Sequence, residues 1–132
     1  MATVASTLPC VTTPKSFQQI VIEALQSIPE VTATDLQSRL QNGEQIVVID
    51  VREPDEFAKG KIPGAYTIPR GVLEMQLDGR LPHENTVVLY CGAGARSALA
   101  CKSLAEMGYD NVENLQGGWH AWVNSGLPVE RP

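Results

Sequence analysis

The sequence predicts an α/β domain built on about five short, mostly parallel strands, with helices on both faces and right-handed crossovers. Three observations carry that prediction. Ile46, Val47, Val48 and Ile49 run without a polar break inside residues 45–51, the pattern of a strand covered on both faces in the middle of a parallel sheet. Residues 86–90 are rich in β-branched and aromatic types, and a glycine-bearing turn followed by an apolar-periodic segment to Met107 comes directly after them. That succession is strand, tight loop, helix. Residues 111–115 then supply a last short strand once Gly108 has ended the helix.

The elements follow in order. Residues 1–15 are small and hydroxyl-rich, without the basic start and apolar run of a secretory signal, and predict a flexible tail. Phe17, Ile20, Val21, Ala24, Leu25 and Ile28 fall at helical spacing and predict an amphipathic helix over 16–30, packed on the domain's own sheet or, as the alternative, on a second subunit. Thr32, three residues before Asp35, resembles a capping box, and Leu36 and Leu40 carry that second helix to a stop at Gly43. Asp50 and Arg52 close the apolar strand and predict an ion pair or hydrogen-bonded brace fixing the loops at the sheet's carboxyl edge, against a direct catalytic role. Glu53-Pro54 opens a short helix that ends before Gly60. Pro63-Gly64 marks a turn, residues 66–68 an extended segment, and Pro69-Arg70 the start of a helical piece through Val72, Leu73 and Leu77. Gly117-Gly118 precedes a closing helix with Trp119 and Trp122, and residues 129–132 read as a C-terminal tail. His83 and His120 show no partner pattern and read as surface residues.

One domain suits 132 residues, and 43% hydrophobic residues are enough for a core. A net charge of -5 argues against a broad phosphate-binding face, so no nucleic-acid partner is expected. No apolar stretch approaches the roughly 20 residues that span a bilayer, so no membrane partner is expected either. The three cysteines, Cys10, Cys91 and Cys101, stand at no metal-ligand spacing and suggest no disulfide framework. The chain reads as cytoplasmic and reduced, with no metal. Cys101 lies about three turns down the helix from Cys91, roughly 15 Å away, which makes it a core residue and not a resolving thiol. Cys10 could reach Cys91 only if the tail folded over it.

Cys91 is the candidate nucleophile. It stands at the carboxyl end of a strand, where open α/β sheets bind ligands, with a helix beginning four or five residues later. Thiols become reactive thiolates beside helix N-termini and arginines, and this loop offers both. Gly92 and Gly94 allow the backbone to curl its N–H groups into an anion-holding nest, Ala93 and Ala95 leave access open, and Arg96 adds a full charge. Arg70 follows a strand-like segment on the same side of the sheet. It is a candidate for added charge at the pocket mouth, against the plainer role of a solvated arginine.

Cys91-Gly92-Ala93-Gly94-Ala95-Arg96 resembles the six-residue active-site loop of the rhodanese (thiosulfate sulfurtransferase) family. Val48-Ile49-Asp50-Val51-Arg52-Glu53-Pro54-Asp55-Glu56-Phe57 with Gly60-Lys61-Ile62-Pro63-Gly64-Ala65 is similar to that family's first signature. Leu115-Gln116-Gly117-Gly118-Trp119-His120-Ala121-Trp122 is similar to its C-terminal one, and the likeness covers residues 31–128 in the family's order. The resemblance implies a rhodanese-like fold and sulfur transfer by double displacement: a small-molecule donor, thiosulfate or a persulfide, leaves sulfane sulfur on Cys91, and a thiol or cyanide acceptor removes it. A sulfur-accepting protein is a further implied partner, and no cofactor is. The amides of residues 92–96 are implied to hold the persulfide anion, with Arg96 at the loop's end and Trp119 bordering the pocket.

Two departures stand out. Lys61 occupies a loop position where the family usually shows histidine. Gly92 stands where thiosulfate users often carry arginine, which leaves Arg96 the loop's only charge and points to a persulfide donor with modest thiosulfate activity. Two other functions share the resemblance. Cell-cycle dual-specificity phosphatases and some arsenate reductases place five residues between cysteine and arginine; here there are four, and the next step lands on Ser97, so loop length favours sulfur over phosphate. A catalytically idle module that binds a protein partner is the other alternative, although such modules often lack the cysteine kept here.

Overall fold

Parallel pairing organises the chain. In the computed structural model, which describes residues 13–132, five strands hydrogen-bond in the order β1-β5-β4-β2-β3, every neighbouring pair parallel. They are β1 (Glu30–Val31), β2 (Ile46–Asp50), β3 (Tyr66–Thr67), β4 (Thr86–Tyr90) and β5 (Val112–Leu115). Six α-helices connect them: α1 (Phe17–Ser27), α2 (Ala33–Gln41), α3 (Pro54–Phe57), α4 (Leu73–Leu77), α5 (Ala95–Glu106) and α6 (Gly118–Asn124), with a 3-10 turn over Arg70–Val72. Cys10 and most of the expected N-terminal tail lie outside the described residues.

The central strands β2 and β4 alternate their side chains between two cores. Ile49, Val51, Val87, Leu89 and Cys91 face α4 and α5, where Leu73, Leu77, Ala100, Cys101 and Leu104 meet them. Val48, Val88 and Tyr90 face the other way, toward Leu36 of α2 and Trp122 of α6. A strand buried on both sides has no polar alternation to show, which is why β2 and β4 read as unbroken apolar runs. Cys91, the residue just past β4, therefore turns its side chain toward α5, and Tyr90 turns its own toward α2 and α6.

Three expectations need correction. The residues assigned to one helix over 16–30 divide: α1 ends at Ser27, and Glu30–Val31 form β1, an edge strand too short to show a period. Its pairing with β5 places Glu30 beside Asn114. Secondly, α1 packs mainly on α5, and its stripe reaches the sheet's core only through Ile28, which clusters with Val87, Leu89 and Val112. Ala24 and Ile28 are buried, while among the described residues Phe17 and Ile20 of the same stripe are exposed. Thirdly, the C-terminal segment is tied down: Lys61 and Glu130 exchange both backbone hydrogen bonds, at 3.0 and 2.9 Å, and Arg131 donates to the Lys59 carbonyl at 2.7 Å. Lys61, in the loop position noted above, also pairs its ammonium with Glu130 at 3.2 Å. Among the described residues no helix is long and apolar enough to cross a membrane.

Candidate active site

The loop from Cys91 to Arg96 closes on the cysteine sulfur. β4 delivers Cys91 at its carboxyl end, and Gly94, with φ at 104°, makes the left-handed step that turns the chain into α5. A side chain there would strain the backbone, so glycine is required. The turn aims amide donors inward: Gly94 N–H lies 3.1 Å from Cys91 Sγ and Ser97 N–H 3.4 Å, and the Ser97 Oγ stands 3.4 Å from the same sulfur. Together with the start of α5, these make a partially positive cradle around one sulfur. Cys91 is only 1% exposed, so a reactant reaches the sulfur through the rim formed by the loop itself. Ala93 is the one loop residue exposed at that rim.

A second tier fixes the cradle. Ser97 Oγ donates to Asn114 Oδ1 at 2.5 Å, and Asn114 in turn donates its amide to the Gly94 carbonyl at 3.1 Å and to Glu30 at 3.2 Å. Asn114 is fully buried, and all its reach is spent on the loop and on β1. From the other side, α6 starts against the loop: Trp119 N–H donates to the Cys91 carbonyl at 2.8 Å and His120 N–H to the Gly92 carbonyl at 3.0 Å. That approach is so close that a β-carbon on Gly118 would stand 2.4 Å from the Cys91 carbonyl oxygen.

Arg96 and Glu56 form the charged part of the rim. Glu56 belongs to α3, where it accepts from Glu53 N–H at 3.0 Å and from both guanidinium nitrogens of Arg96 at 3.0 and 3.2 Å. Those Arg96 bonds, with the Glu53 amide beside them, pull the Glu56 carboxyl down to about 2 against the opposing effect of burial. The same pairing, aided by the nearby Cys91 sulfur, holds Arg96 above the ordinary arginine range.

The Asp50–Arg52 pair sits beneath this assembly, with Asp50 fully buried and Arg52 3% exposed. Arg52 donates to Asp50 through its backbone N–H, Nε and Nη2 at 2.8–3.1 Å, and Nη2 also reaches the Gly60 carbonyl at 2.7 Å. Burial works against the Arg52 charge, yet the bonds to Asp50 outweigh it and raise its pKa. Tyr90 lies alongside; burial and the Asp50 charge push its phenol far up, and its oxygen accepts from Ile62 N–H at 3.0 Å.

The remaining sequence candidates fall as follows. The Trp119 indole lies over Arg52, 4.5 Å from the guanidinium carbon, and stacks on Tyr90, so its contacts are with the buried pair and not with the sulfur. Arg70 is engaged by Glu74 at 2.9 Å, and Glu74 also accepts from Ser103 of α5 at 2.6 Å. Cys101 is buried in the core, and burial drives its thiol strongly upward. His83 packs on Tyr109 at 4.6 Å. His120 is exposed but stands beside the loop: its Nε2 is 3.6 Å from where a Gly92 β-carbon would be. A cleft of about 440 Å³ lined by Val47, Ile49, Tyr66, Ile68 and Leu77 opens beside β3, and none of its walls comes from the loop.

Glu56, Ser97 and Asn114 were not singled out by the sequence reading. Asn114 carried a usable signal, since a lone amide inside a short apolar strand must find buried partners.

Fold and site together define an α/β protein that presents one cysteine in a ring of main-chain donors at a helix N-terminus. Residues 32–125 match the Rhodanese-like domain, and the chain belongs to that family of sulfurtransferases. It is 38% identical over 105 residues to a protein named "Sulfurtransferase" from Allochromatium vinosum, covering 80% of this chain and 97% of that one. Among solved structures it resembles a Rhodopseudomonas palustris protein described as of unknown function and a possible tyrosine phosphatase, with a TM-score of 0.82, 35% identity, and 90% and 97% of the two chains covered. It also resembles the polysulfide-sulfur transferase homodimer of Wolinella succinogenes, with a TM-score of 0.75, 36% identity and 88% of each chain covered.

Proposed function

We propose that the protein carries sulfane sulfur on Cys91, taking it from thiosulfate or a persulfide and passing it to cyanide or a thiol, on a small molecule or on a protein. The observation that carries this reading is the convergence of the Gly94 and Ser97 amides on Cys91 Sγ. In the first half-reaction the Cys91 thiolate attacks the outer sulfur of the donor. A new S–S bond forms, and the donor's own bond to that sulfur breaks with its electron pair, releasing sulfite from thiosulfate or a thiolate from a persulfide. In the second, the acceptor attacks the outer sulfur and Cys91 departs as thiolate. No net oxidation or reduction is needed, and the two halves give ping-pong kinetics.

The Asp50–Arg52 pair serves as a brace under the loop, and Arg96 and the donors of the cradle stabilise the sulfur anion in each half-reaction. A reducing compartment such as the cytoplasm suits a resting thiol at this position. The loop holds four residues between Cys91 and Arg96, which supports a small ring built for sulfur rather than the wider one a tetrahedral phosphate occupies.

The test is to incubate the purified protein with thiosulfate and read the intact mass. Gain of one sulfur atom, lost in Cys91→Ser and discharged by cyanide, is the expected result. Turnover of p-nitrophenyl phosphate without sulfur uptake would instead favour a phosphatase, and neither activity would favour an idle binding module.

A further inference from the structure

β3 covers only part of the strand beside it. Its two residues pair with Ile49 and Asp50, so among the described residues the amino half of β2 has no strand on that side, and the cleft of about 440 Å³ opens there. Its floor is aliphatic. Ile49 and Leu77 are buried, and Val47, Ile68 and Leu81 are half-buried around them. Three polar side chains, Gln76, Arg80 and Asn85, line the same space. A hollow of this size, apolar below with a few polar groups at its edge, has the make-up of a small-molecule site.

Arg80 sets the sign of charge that suits it. Arg39, Arg52, Arg70, Arg96 and Arg131 each give their guanidinium to a carboxylate or a carbonyl oxygen at 2.6–3.0 Å. Among the described residues only the Arg80 guanidinium has no such partner; its backbone N–H alone is bound, to the Leu77 carbonyl at 3.0 Å. A planar fork of donors can hold both oxygens of a carboxylate at once, gains less from a neutral head and repels a cationic one.

We propose that this cleft binds a small aliphatic carboxylate, its chain laid on Ile49, Ile68 and Leu77 and its head group against Arg80. Burial of the chain supplies affinity, and the arginine fork supplies selectivity. None of the cleft's lining belongs to the cysteine loop, and the inference stands apart from the sulfur-transfer reading.

The experiment titrates decanoate, decanol and decyltrimethylammonium, three probes with one chain and different heads, into isotope-labelled protein and follows its amide NMR signals. Decanoate is expected to shift the signals of Val47, Tyr66, Ile68 and Leu77 saturably, and to bind about tenfold more tightly than decanol, as a charge-assisted hydrogen bond predicts. The cation should leave those signals unmoved. Arg80→Gln should remove the advantage of decanoate over decanol, and Ile68→Trp, which fills the cleft, should abolish the binding of both. Arg80 is exposed, so Arg80→Gln keeps the fold and decides the matter even where Ile68→Trp does not fold. Equal decanoate affinity in the parent and in Arg80→Gln overturns the proposal. So does equal affinity for decanoate and the cation, a set of shifts centred elsewhere on the protein, or the absence of saturable shifts. Cys91→Ser should bind decanoate as the parent does, so loss of sulfur uptake with binding intact removes the transfer reading alone.

Discussion

Gly118→Ala tests the claim that α6 holds the cysteine loop in its working shape. The added β-carbon would stand 2.4 Å from the Cys91 carbonyl oxygen and 2.8 Å from that of Gly92. Close carbon–oxygen contacts stop at about 3.3 Å, so helix and loop must part by roughly 1 Å. Parting stretches the bonds from Trp119 and His120 to those same carbonyls, 2.8 and 3.0 Å in the parent, each worth about 1 kcal/mol. Alanine at a φ of 57° costs about 1 kcal/mol more. The predicted loss of stability is therefore about 3 kcal/mol, which a domain with 5–15 kcal/mol in hand survives folded. Displacing a nucleophile by that distance slows chemistry on the order of 100-fold. The assay is single-turnover sulfur uptake on Cys91 by intact mass, paired with urea denaturation of the same sample. Uptake within threefold of the parent at unchanged stability would refute the idea that α6 shapes the loop.

Three further predictions concern its polar supports. Asp50→Asn strands the buried Arg52 guanidinium and should lower stability by about 3–5 kcal/mol in urea, whereas Asp50→Leu combined with Arg52→Leu should recover most of it. A single-variant loss below about 1 kcal/mol would mean the pair braces nothing. Glu56 has a carboxyl held at about 2 against an ordinary 4.5, so its contribution is complete above about pH 4.5 and disappears as pH falls toward 2. Stability of the parent should consequently drop more steeply than that of Glu56→Gln between pH 5 and 2, and parallel curves in that window would count against the Arg96 pairing. Ser97→Ala removes a hydroxyl from the sulfur and leaves the buried Asn114 Oδ1 without its donor, at an expected 1–3 kcal/mol and with slower sulfur uptake. Unchanged values of both would show the hydroxyl to be idle.

What could be read from the sequence was set by how local the cause was. β2, β4 and the loop after them declare themselves because burial on both faces forces continuous apolar runs, and because glycine is needed where the chain turns left-handed at Gly94. β1 was invisible: two residues carry no period, and what makes Glu30–Val31 a strand is its partner Asn114–Leu115, far along the chain. The same holds for the site. Cys91 and Arg96 are neighbours in sequence, whereas Glu56 meets Arg96 and Asn114 meets Ser97 only after the sheet has formed. His120 is the surface residue its lack of a partner pattern implies, and its place beside Gly92 follows from α6 docking on the loop. The Trp119 side chain packs on Arg52 while its backbone N–H binds the Cys91 carbonyl, a division of roles that only the docked α6 reveals.

The carbonyls of Cys91 and Gly92 find their donors in residues that come almost thirty positions later, in the first turn of α6. During synthesis the nucleophile and its ring therefore leave the ribosome well before the element that locks them, and a nascent or C-terminally clipped chain would display the thiol on an unbacked turn. The backing of the cysteine loop is thus supplied late, by a helix made well after the loop itself.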